Sequence, residues 1–299
     1  MVECYHRKEP VVDCCRGLEE NIMKKNMIAV MTAAAMVSSM FAGTVSMADE
    51  RTTFTVGFDA EYPPYGYMDE SGEYTGFDLE LAQAVCDMQG WELVKTPIDW
   101  DSKDMELNSG AIDCIWNGFT MNGREDDYTW SVPYVDNSQV IVVAEDSGIA
   151  DLAGLSGKIV GVQAASAALE LLSDGGDQAD LAATFGTLQQ FPEYNSAFVE
   201  LQAGSIDAVA MDIGVAQYQI KEKEGFVILD ESLNSEKYAI GFRVGDDELC
   251  NMVNESLKTL LEDGTFDELA AKYELSDMVC LAESFGDEVA EVETEAAAE

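Results

Sequence analysis

The sequence predicts an α/β protein made of two similar lobes. Segments rich in β-branched and aromatic residues alternate along the chain with segments of helical periodicity, which is the pattern of layered α/β folds. One pattern also occurs twice, at 107–113 (Leu-Asn-Ser-Gly-Ala-Ile-Asp) and at 201–207 (Leu-Gln-Ala-Gly-Ser-Ile-Asp). In each copy a helix ends on a glycine cap and passes directly into an apolar strand. This repetition favours two α/β lobes over one continuous sheet.

The predicted elements follow in chain order. A strand at Thr53–Phe58 is β-branched and aromatic, and a helix at Phe77–Met88 has apolar residues at helical spacing, with Asp78 as its N-cap. The first set continues with strands at Glu92–Thr96, Ala111–Trp116 and Gln139–Ala144 and a helix at Lys103–Asn108. The second set has strands at Lys158–Val162 and Ala208–Met211 and helices at Ala167–Leu172, Ser196–Gln202 and Ile213–Glu222. A strand at Tyr238–Val244 and helices at Asp247–Glu262 and Thr265–Tyr273 come last.

The N-terminal segment predicts export. Two lysines at 24–25 precede the mostly apolar stretch Met27–Val45, and Ser46-Met47-Ala48 supplies the small residues of a cleavage site. We therefore assign 23–48 as a signal peptide cleaved near Ala48, with an uncleaved membrane anchor as the alternative. No cysteine lies between Cys15 and Cys86, so a lipid-anchor motif is absent. Residues 1–22 are interpreted as a non-native extension, with translation starting at Met23.

Composition excludes several classes of function. The formal net charge of -42 argues against binding nucleic acid or an anionic membrane surface through charge. The single histidine, His6, lies before the predicted cleavage site, which excludes histidine-based catalysis and histidine-ligated metal sites. Four cysteines remain after cleavage (Cys86, Cys114, Cys250 and Cys280). They allow three disulfide pairings or buried free thiols. We predict no metal and no cofactor.

Chemically useful residues follow the predicted strands. Ligands of α/β proteins bind beyond the carboxyl ends of strands. The segments at these positions are Asp59–Tyr65, Asn117–Arg124, Gln163–Ser166 and Asp212. Together they provide a cation, a carboxylate, hydroxyl groups, backbone amides and aromatic faces. This combination suits a zwitterion.

A role can be assigned to each group of this predicted site. Arg124 and the amides around Gly118 and Thr120 would hold an α-carboxylate, since a guanidinium can form two parallel bonds to it. Asp212 would accept the α-ammonium. Tyr62 and Trp100 would enclose the side chain.

Every assignment has a structural alternative. Arg124 can instead form a surface ion pair with an acid at 125–127, and Tyr62 and Trp100 can be core aromatics. Asp212 and Ser166 can be helix caps. Asp59 and Glu61 can also form a catalytic carboxylate pair.

Four motifs in order carry a resemblance to a known family. They are Gly76-Phe77-Asp78-Leu79-Glu80-Leu81-Ala82, Gly118-Phe119-Thr120 with Arg124, the run at 155–162, and Asp263-Gly264-Thr265-Phe266. From about Phe54 to Tyr273 the chain resembles the polar-amino-acid solute-binding proteins of bacterial ABC importers. The resemblance implies the type II periplasmic-binding-protein fold, with lobe 1 at 52–142 plus 239–280 and lobe 2 at 143–238. The crossovers are expected near Val140–Glu145 and Leu233–Ile240, followed by a disordered acidic tail at 281–299.

The resemblance also implies a set of ligand contacts. By position, Asp59 and Tyr62 would recognise the ligand side chain, with Trp100 as an aromatic wall. The α-carboxylate contacts would be Asn117, Gly118, Thr120 and Arg124, the second-lobe contacts Gln163 and Ser166, and the α-ammonium acceptor Asp212. The loop before Arg124 is one residue shorter than is usual in the family.

The implied function is delivery of a polar amino acid to an ABC permease and its ATPase by a periplasmic or extracellular monomer that closes about a hinge. Glutamine, a cationic amino acid and cystine remain open as ligands. The alternatives are a catalytic relative similar to cyclohexadienyl dehydratases, with Asp59 and Glu61 as acid and base, and an extracellular amino-acid sensor.

Overall fold

The computed structural model describes residues 51–221 and 223–286. The predicted extension and signal peptide lie outside the described residues, as does most of the acidic tail. Within the described ranges no helix combines the length and the apolar character needed to cross a membrane.

The described chain alternates short strands and helices. The strands are β1 Thr53–Phe58, β2 Glu61–Tyr62, β3 Gly66–Met68, β4 Tyr74–Thr75, β5 Glu92–Pro97, β6 Cys114–Ile115, β7 Thr129–Trp130, β8 Val135–Asn137, β9 Gln139–Ala144, β10 Ile159–Gln163, β11 Thr187–Phe191, β12 Ala208–Asp212, β13 Phe226–Ile228, β14 Glu236–Tyr238 and β15 Gly241–Phe242. The helices are α1 Phe77–Gln89, α2 Lys103–Ser109, α3 Ala167–Leu172, α4 Ala179–Ala182, α5 Tyr194–Ala203, α6 Ile213–Ile220, α7 Asp247–Glu262 and α8 Thr265–Lys272. Short 3₁₀ turns lie at Trp100–Ser102 and Leu152–Leu155.

The first lobe is built on a five-stranded sheet. Its strand order is β5-β1-β6-β15-β7, with β1 parallel to β5 and β6 and with β15 antiparallel to β6 and β7. Helix α1 packs on β1 and β5 and contacts α7 and α8. Phe54, Val56 and Phe58 of β1 are fully buried. The predicted strand at Thr53–Phe58 is confirmed as β1, and the predicted helix at Phe77–Met88 is confirmed as α1.

The second lobe repeats this plan. Its sheet has the order β11-β10-β12-β9-β13, with β10 parallel to β11 and β12 and with β9 antiparallel to β12 and β13. Helices α3 and α5 pack on β10 and β12, and α6 packs on β12, β9 and β13. The two-lobed α/β prediction is therefore confirmed.

Two strands join the lobes. β8 and β14 form an antiparallel pair in which Asn137 is opposite Glu236, and each strand lies between an element of one sheet and an element of the other. The predicted first crossover at Val140–Glu145 is wrong, because those residues belong to β9 and its end inside the second sheet. The error arose because β9 is buried on both faces and its apolar run carries no signal of lobe membership.

Other differences also follow from weak sequence patterns. β11 was missed because its sequence Thr-Leu-Gln-Gln-Phe is polar and mostly exposed at a sheet edge. The predicted strand at Tyr238–Val244 is divided into β14 and β15. Residues 281–286 are helical, with Leu281 buried and Phe285 packed on the core, so the predicted disordered tail does not begin at 281. All four described cysteines are buried free thiols.

Candidate functional site

Residues from both lobes meet in one small cleft. It is lined by Tyr62, Trp100, Gly118, Thr120, Arg124, Gln163, Ser166, Ala167 and Asp212. All of the predicted site residues except Asp59 and Asn117 are in this group. The cleft lies at the carboxyl ends of β6, β10 and β12, where the sequence places its polar residues.

Arg124 is buried, with 7% of its surface exposed. Its guanidinium donates from Nη1 to the Thr120 carbonyl at 3.1 Å and from Nη2 to Glu170 Oε1 at 2.6 Å. The Phe119 ring lies 5.2 Å from the guanidinium carbon. The alternative of a surface ion pair with residues 125–127 is therefore wrong. The short loop reaches the cleft because it folds as a turn, in which the Arg124 N–H donates to the Met121 carbonyl.

The two amides expected to hold a carboxylate differ in availability. The Gly118 N–H donates to Asp78 Oδ2 at 2.6 Å, so this amide is already paired in the structure, although Gly118 lines the cleft as expected. Asp78 is fully buried inside the first turn of α1 and does not cap it, and burial raises the pKa of its carboxyl to about 7. Within the described chain the Thr120 N–H has no acceptor, which leaves it able to bind an anion.

Gly118 is still required by the backbone. Its φ is +54°, and a Cβ at this position would lie 2.9 Å from ring carbons of both Tyr62 and Tyr238. Glycine allows the chain to turn between the two rings. The turn directs Thr120 and Arg124 into the cleft.

Asn117 does not line the cleft. Its Oδ1 accepts the Asp59 N–H at 2.9 Å, and its side chain is 1% exposed. The predicted contact between Asn117 and a ligand carboxylate is therefore not part of this geometry. Asn117 instead fixes the loop that carries Asp59.

Asp212 lies in a buried hydrogen-bond network at the hinge. Its Oδ1 accepts from Asn137 Nδ2 at 2.8 Å, from Gln139 Nε2 at 2.5 Å and from Tyr238 Oη at 2.6 Å. Tyr194 Oη donates to Oδ2 at 3.1 Å. The carboxylate makes no capping bond to α6. Asp212 thus occupies the N-cap position of α6, but its side chain is committed to the hinge network and not to capping the helix.

A second carboxylate shares this network. Glu236 Oε1 accepts from the same two amide groups, at 2.7 Å from Asn137 and 2.8 Å from Gln139, and from Thr120 Oγ1 at 2.8 Å. Asp212 and Glu236 are 4% and 3% exposed. Burial, followed by the Glu236 charge, raises the pKa of Asp212. In the described chain neither carboxylate has a salt-bridge partner, so the pair attracts a cation.

Tyr62 and Trp100 pack against other aromatic rings and also line the cleft. Tyr62 is buried, contacts the Tyr65 and Tyr194 rings and bonds to Tyr238 Oη. Trp100 packs edge-on against Phe119, with ring centroids 5.5 Å apart. Each also lines the cleft. The core alternative and the cleft assignment are compatible for both side chains.

A larger cavity of about 250 Å³ adjoins the cleft beyond Trp100. Its lining includes four acidic residues: Asp59, Asp99, Asp101 and Glu193. No lysine or arginine lines it among the described residues. Burial raises the pKa of Asp59 to about 6, against hydrogen bonds from the Glu61 amide and Gln163 that lower it. The cavity therefore carries negative potential at neutral pH.

Gln163 and Ser166 connect the second lobe to this cavity. Gln163 Nε2 donates to Asp59 Oδ2 at 2.7 Å and to the Pro192 carbonyl at 3.2 Å. Ser166 Oγ donates to the Gln163 carbonyl and accepts from the Leu169 N–H. Ser166 is thus the N-cap of α3, as its alternative held, and it also lines the cleft.

Glu61 does not face Asp59 across the cleft. It is exposed, and its Oε2 accepts from Asn195 Nδ2 at 3.1 Å. Its carboxylate is therefore engaged at the surface between the lobes. This arrangement differs from the acid–base pair of the catalytic alternative.

Several residues of the site were missed by sequence reasoning. These are Glu170, Glu236, Lys103, Asn137, Gln139, Tyr194 and Tyr238. Glu170 and Glu236 are two of 58 acidic residues, and neither follows a strand. The only feature that could have indicated Asn137 and Glu236 is their position on the joining strands, where the two residues are opposite each other.

The comparisons with known proteins identify the family. The model for bacterial extracellular solute-binding proteins, family 3, matches residues 54–276. The chain belongs to this family. The resemblance found in the sequence motifs is thus confirmed, and so is the type II fold.

Three relatives illustrate the range of this solute-binding family. The L-cystine-binding protein TcyJ of Escherichia coli is 28% identical over 252 residues, covering 82% of this chain and 92% of TcyJ. The arginine-binding extracellular protein ArtP of Bacillus subtilis is 29% identical, covering 84% of this chain and 98% of ArtP. A substrate-binding protein of a Streptococcus pneumoniae ABC uptake transporter, solved with bound histidine, is 31% identical with a TM-score of 0.71. That alignment covers 75% of this chain and 92% of the Streptococcus protein.

Proposed function

We propose that this protein binds a polar L-amino acid outside the cytoplasm, between its two lobes, and delivers it to an ABC permease. The observation that carries the proposal is the placement of opposite charges in one cleft. Arg124 and the Thr120 N–H lie on the first lobe, and Asp212 lies at the end of β12 in the second. An α-carboxylate and an α-ammonium on one carbon match these two poles.

Closure about β8 and β14 supplies the delivery mechanism. Each lobe alone holds only part of the cleft, so a ligand bound to one lobe gains its remaining contacts when the other lobe closes. The closed form would then be the one that the permease and its ATPase recognise. We expect the protein to act as a monomer.

The favoured ligand is a cationic amino acid, with L-arginine first. The four acids around the side-chain cavity would attract a guanidinium, and Trp100 would offer a ring face to it. The names of ArtP and of the Streptococcus protein support the same class. Cystine, the ligand in the name of TcyJ, would bring a second carboxylate toward these acids.

A thermal-shift screen of the amino acids and cystine tests the proposal. We expect L-arginine, L-lysine or L-histidine to raise the melting temperature most, since a ligand that binds only the folded state stabilises it by mass action. A larger shift from cystine or glutamine would overturn the cationic class. No shift from any amino acid, together with turnover of a cyclohexadienyl acid, would favour the catalytic alternative.

Asp59 gives this ligand class a pH dependence. Because the pKa of Asp59 is raised to about 6, the carboxyl is neutral below that pH and charged above it. Affinity for L-arginine should therefore increase as the pH rises through about 6. L-citrulline, which has nearly the same shape without the charge, is the control, and the ratio of the two affinities removes effects on the shared α-groups.

An Asp59→Asn variant should abolish this dependence of the affinity ratio. The variant should also bind L-arginine roughly tenfold or more weakly, because a charge-assisted hydrogen bond is lost. Its affinity for L-citrulline should change little. Titration calorimetry at about pH 5 and about pH 7.5 measures both quantities. A pH-independent ratio in the unaltered protein would contradict the assigned role of Asp59.

A further inference from the structure

Glu170 reaches Arg124 from the opposite lobe. It lies on α3 in the second lobe, and its Oε1 accepts from Arg124 Nε at 3.2 Å and from Nη2 at 2.6 Å. Arg124 follows β6 in the first lobe. The bond therefore spans the cleft and exists only when the lobes are close.

Counting donors shows what remains for a ligand. A guanidinium has five N–H groups. Glu170 takes the Nε–H and one from Nη2, and the Thr120 carbonyl takes one from Nη1. One N–H therefore remains on each terminal nitrogen, so the guanidinium keeps two donors for a ligand carboxylate.

We propose that Glu170 is a positioning residue that orients the Arg124 guanidinium for the ligand carboxylate when the lobes close. This inference rests on the proposed function and extends it by naming the group that links closure to the clamp. Thr120 holds one side of the guanidinium in either state, because both residues belong to the first lobe. Glu170 holds the other side only in the closed state.

The surroundings support a role beyond that of a surface ion pair. Arg124 is 7% exposed, whereas the Glu170 side chain is 55% exposed, so the glutamate brings a charge from the rim to a buried partner. Lys103, which is 5% exposed, also lies at this junction and donates to the Ala165 carbonyl at 3.4 Å. A negative charge here offsets the repulsion between two buried cations. Because Arg124 and Lys103 are close together, the closed form is more stable when the Glu170 carboxylate lies beside them.

The opposite role gives a different result. If Glu170 occupied the position of the ligand carboxylate, it would compete with the ligand, and removing its charge would tighten binding. If Glu170 orients the guanidinium, removing the charge loosens the closed complex. The sign of the change therefore separates the two roles.

The experiment compares Glu170→Gln with the unaltered protein by stopped-flow kinetics, with L-arginine as the probe. We expect the dissociation rate to increase by about threefold to tenfold, since a half-exposed ion pair contributes modestly, and the association rate to stay the same. Glu170→Asp keeps the charge but shortens the side chain by one methylene, and it should also release the ligand faster. Asp180→Asn, an equal charge change at an exposed position of the same lobe, is the control.

The outcomes are distinguishable. Unchanged dissociation in Glu170→Gln, or tighter binding, overturns the positioning role while the proposed function stands, provided that the unaltered protein binds L-arginine. A lower association rate with an equal fall in melting temperature would indicate a merely structural role and would also overturn it. If the unaltered protein binds no amino acid, the proposed function fails, and this inference fails with it.

Discussion

Replacing Asp212 by asparagine is expected to lower the affinity for an amino acid by on the order of a hundredfold or more, without destabilising the free protein. The loss follows because the α-ammonium would be left without its opposite charge in a desolvated site, which typically costs about 2–5 kcal/mol. Asparagine has nearly the same shape as aspartate. Its Oδ1 can still accept from Asn137, Gln139 and Tyr238, and its Nδ2, in the place of Oδ2, can donate to the Tyr194 hydroxyl oxygen that donates to Oδ2 in the unaltered protein.

The stability of the free Asp212→Asn protein is the unusual part of this expectation. The raised pKa of Asp212 means that its charged form is disfavoured by burial and by Glu236. At neutral pH, where this carboxyl would be ionised in the unfolded chain, a folded-state pKa that is raised by burial subtracts from the free energy of unfolding. Removing the charge should therefore leave the melting temperature equal or higher, as is common when a binding site is relieved of strain.

Titration calorimetry and thermal unfolding of the free protein check the two parts separately. Asp174→Asn, at an exposed position of the same lobe, controls for the change in net charge. A variant that binds normally would refute the ammonium role. A variant that binds poorly and also unfolds at a clearly lower temperature would show that Asp212 is mainly structural.

Replacing Arg124 by alanine should cost about 1.5–3 kcal/mol of binding free energy or more, because a charge-assisted and nearly desolvated contact is lost. The Thr120 N–H would remain as a donor to the ligand carboxylate at this end of the cleft. Arg124→Lys should recover little of the loss, since an ammonium cannot bond to Glu170, to the Thr120 carbonyl and to a bidentate carboxylate with the same geometry.

Calorimetry with the ligand found by thermal shift measures the effect of Arg124→Ala. Arg51→Ala is the matched control, because Arg51 forms a partly buried ion pair with Asp113 and lies outside the cleft. Equal affinity in Arg124→Ala and the unaltered protein would show that the clamp assignment is wrong. Loss of affinity in the Arg51 control would point to a general effect of charge.

The sequence predicts some elements more accurately than others. The boundaries of α3 were predicted to the residue, because a serine cap and a compact apolar run are local signals. β11 and the hinge strand β8 were not predicted, since edge and joining strands are short and polar or lack alternation. Asn117 and Gly118 were placed at the right edge of the sheet, yet their bonds go to Asp59 and Asp78.

Sequence alone determined that two α/β lobes would present a cation, an anion and aromatic faces at the ends of their strands. These features are local, because helical periodicity, glycine caps and the polar residues after strands depend on near neighbours. Tertiary structure decided which carboxylate meets which cation. Arg124 and Glu170 are 46 residues apart, and Glu236 meets Asp212 only through Asn137 and Gln139. Such pairs depend on how the two lobes approach each other about the hinge. The sequence of a short segment does not specify which distant residues it will contact.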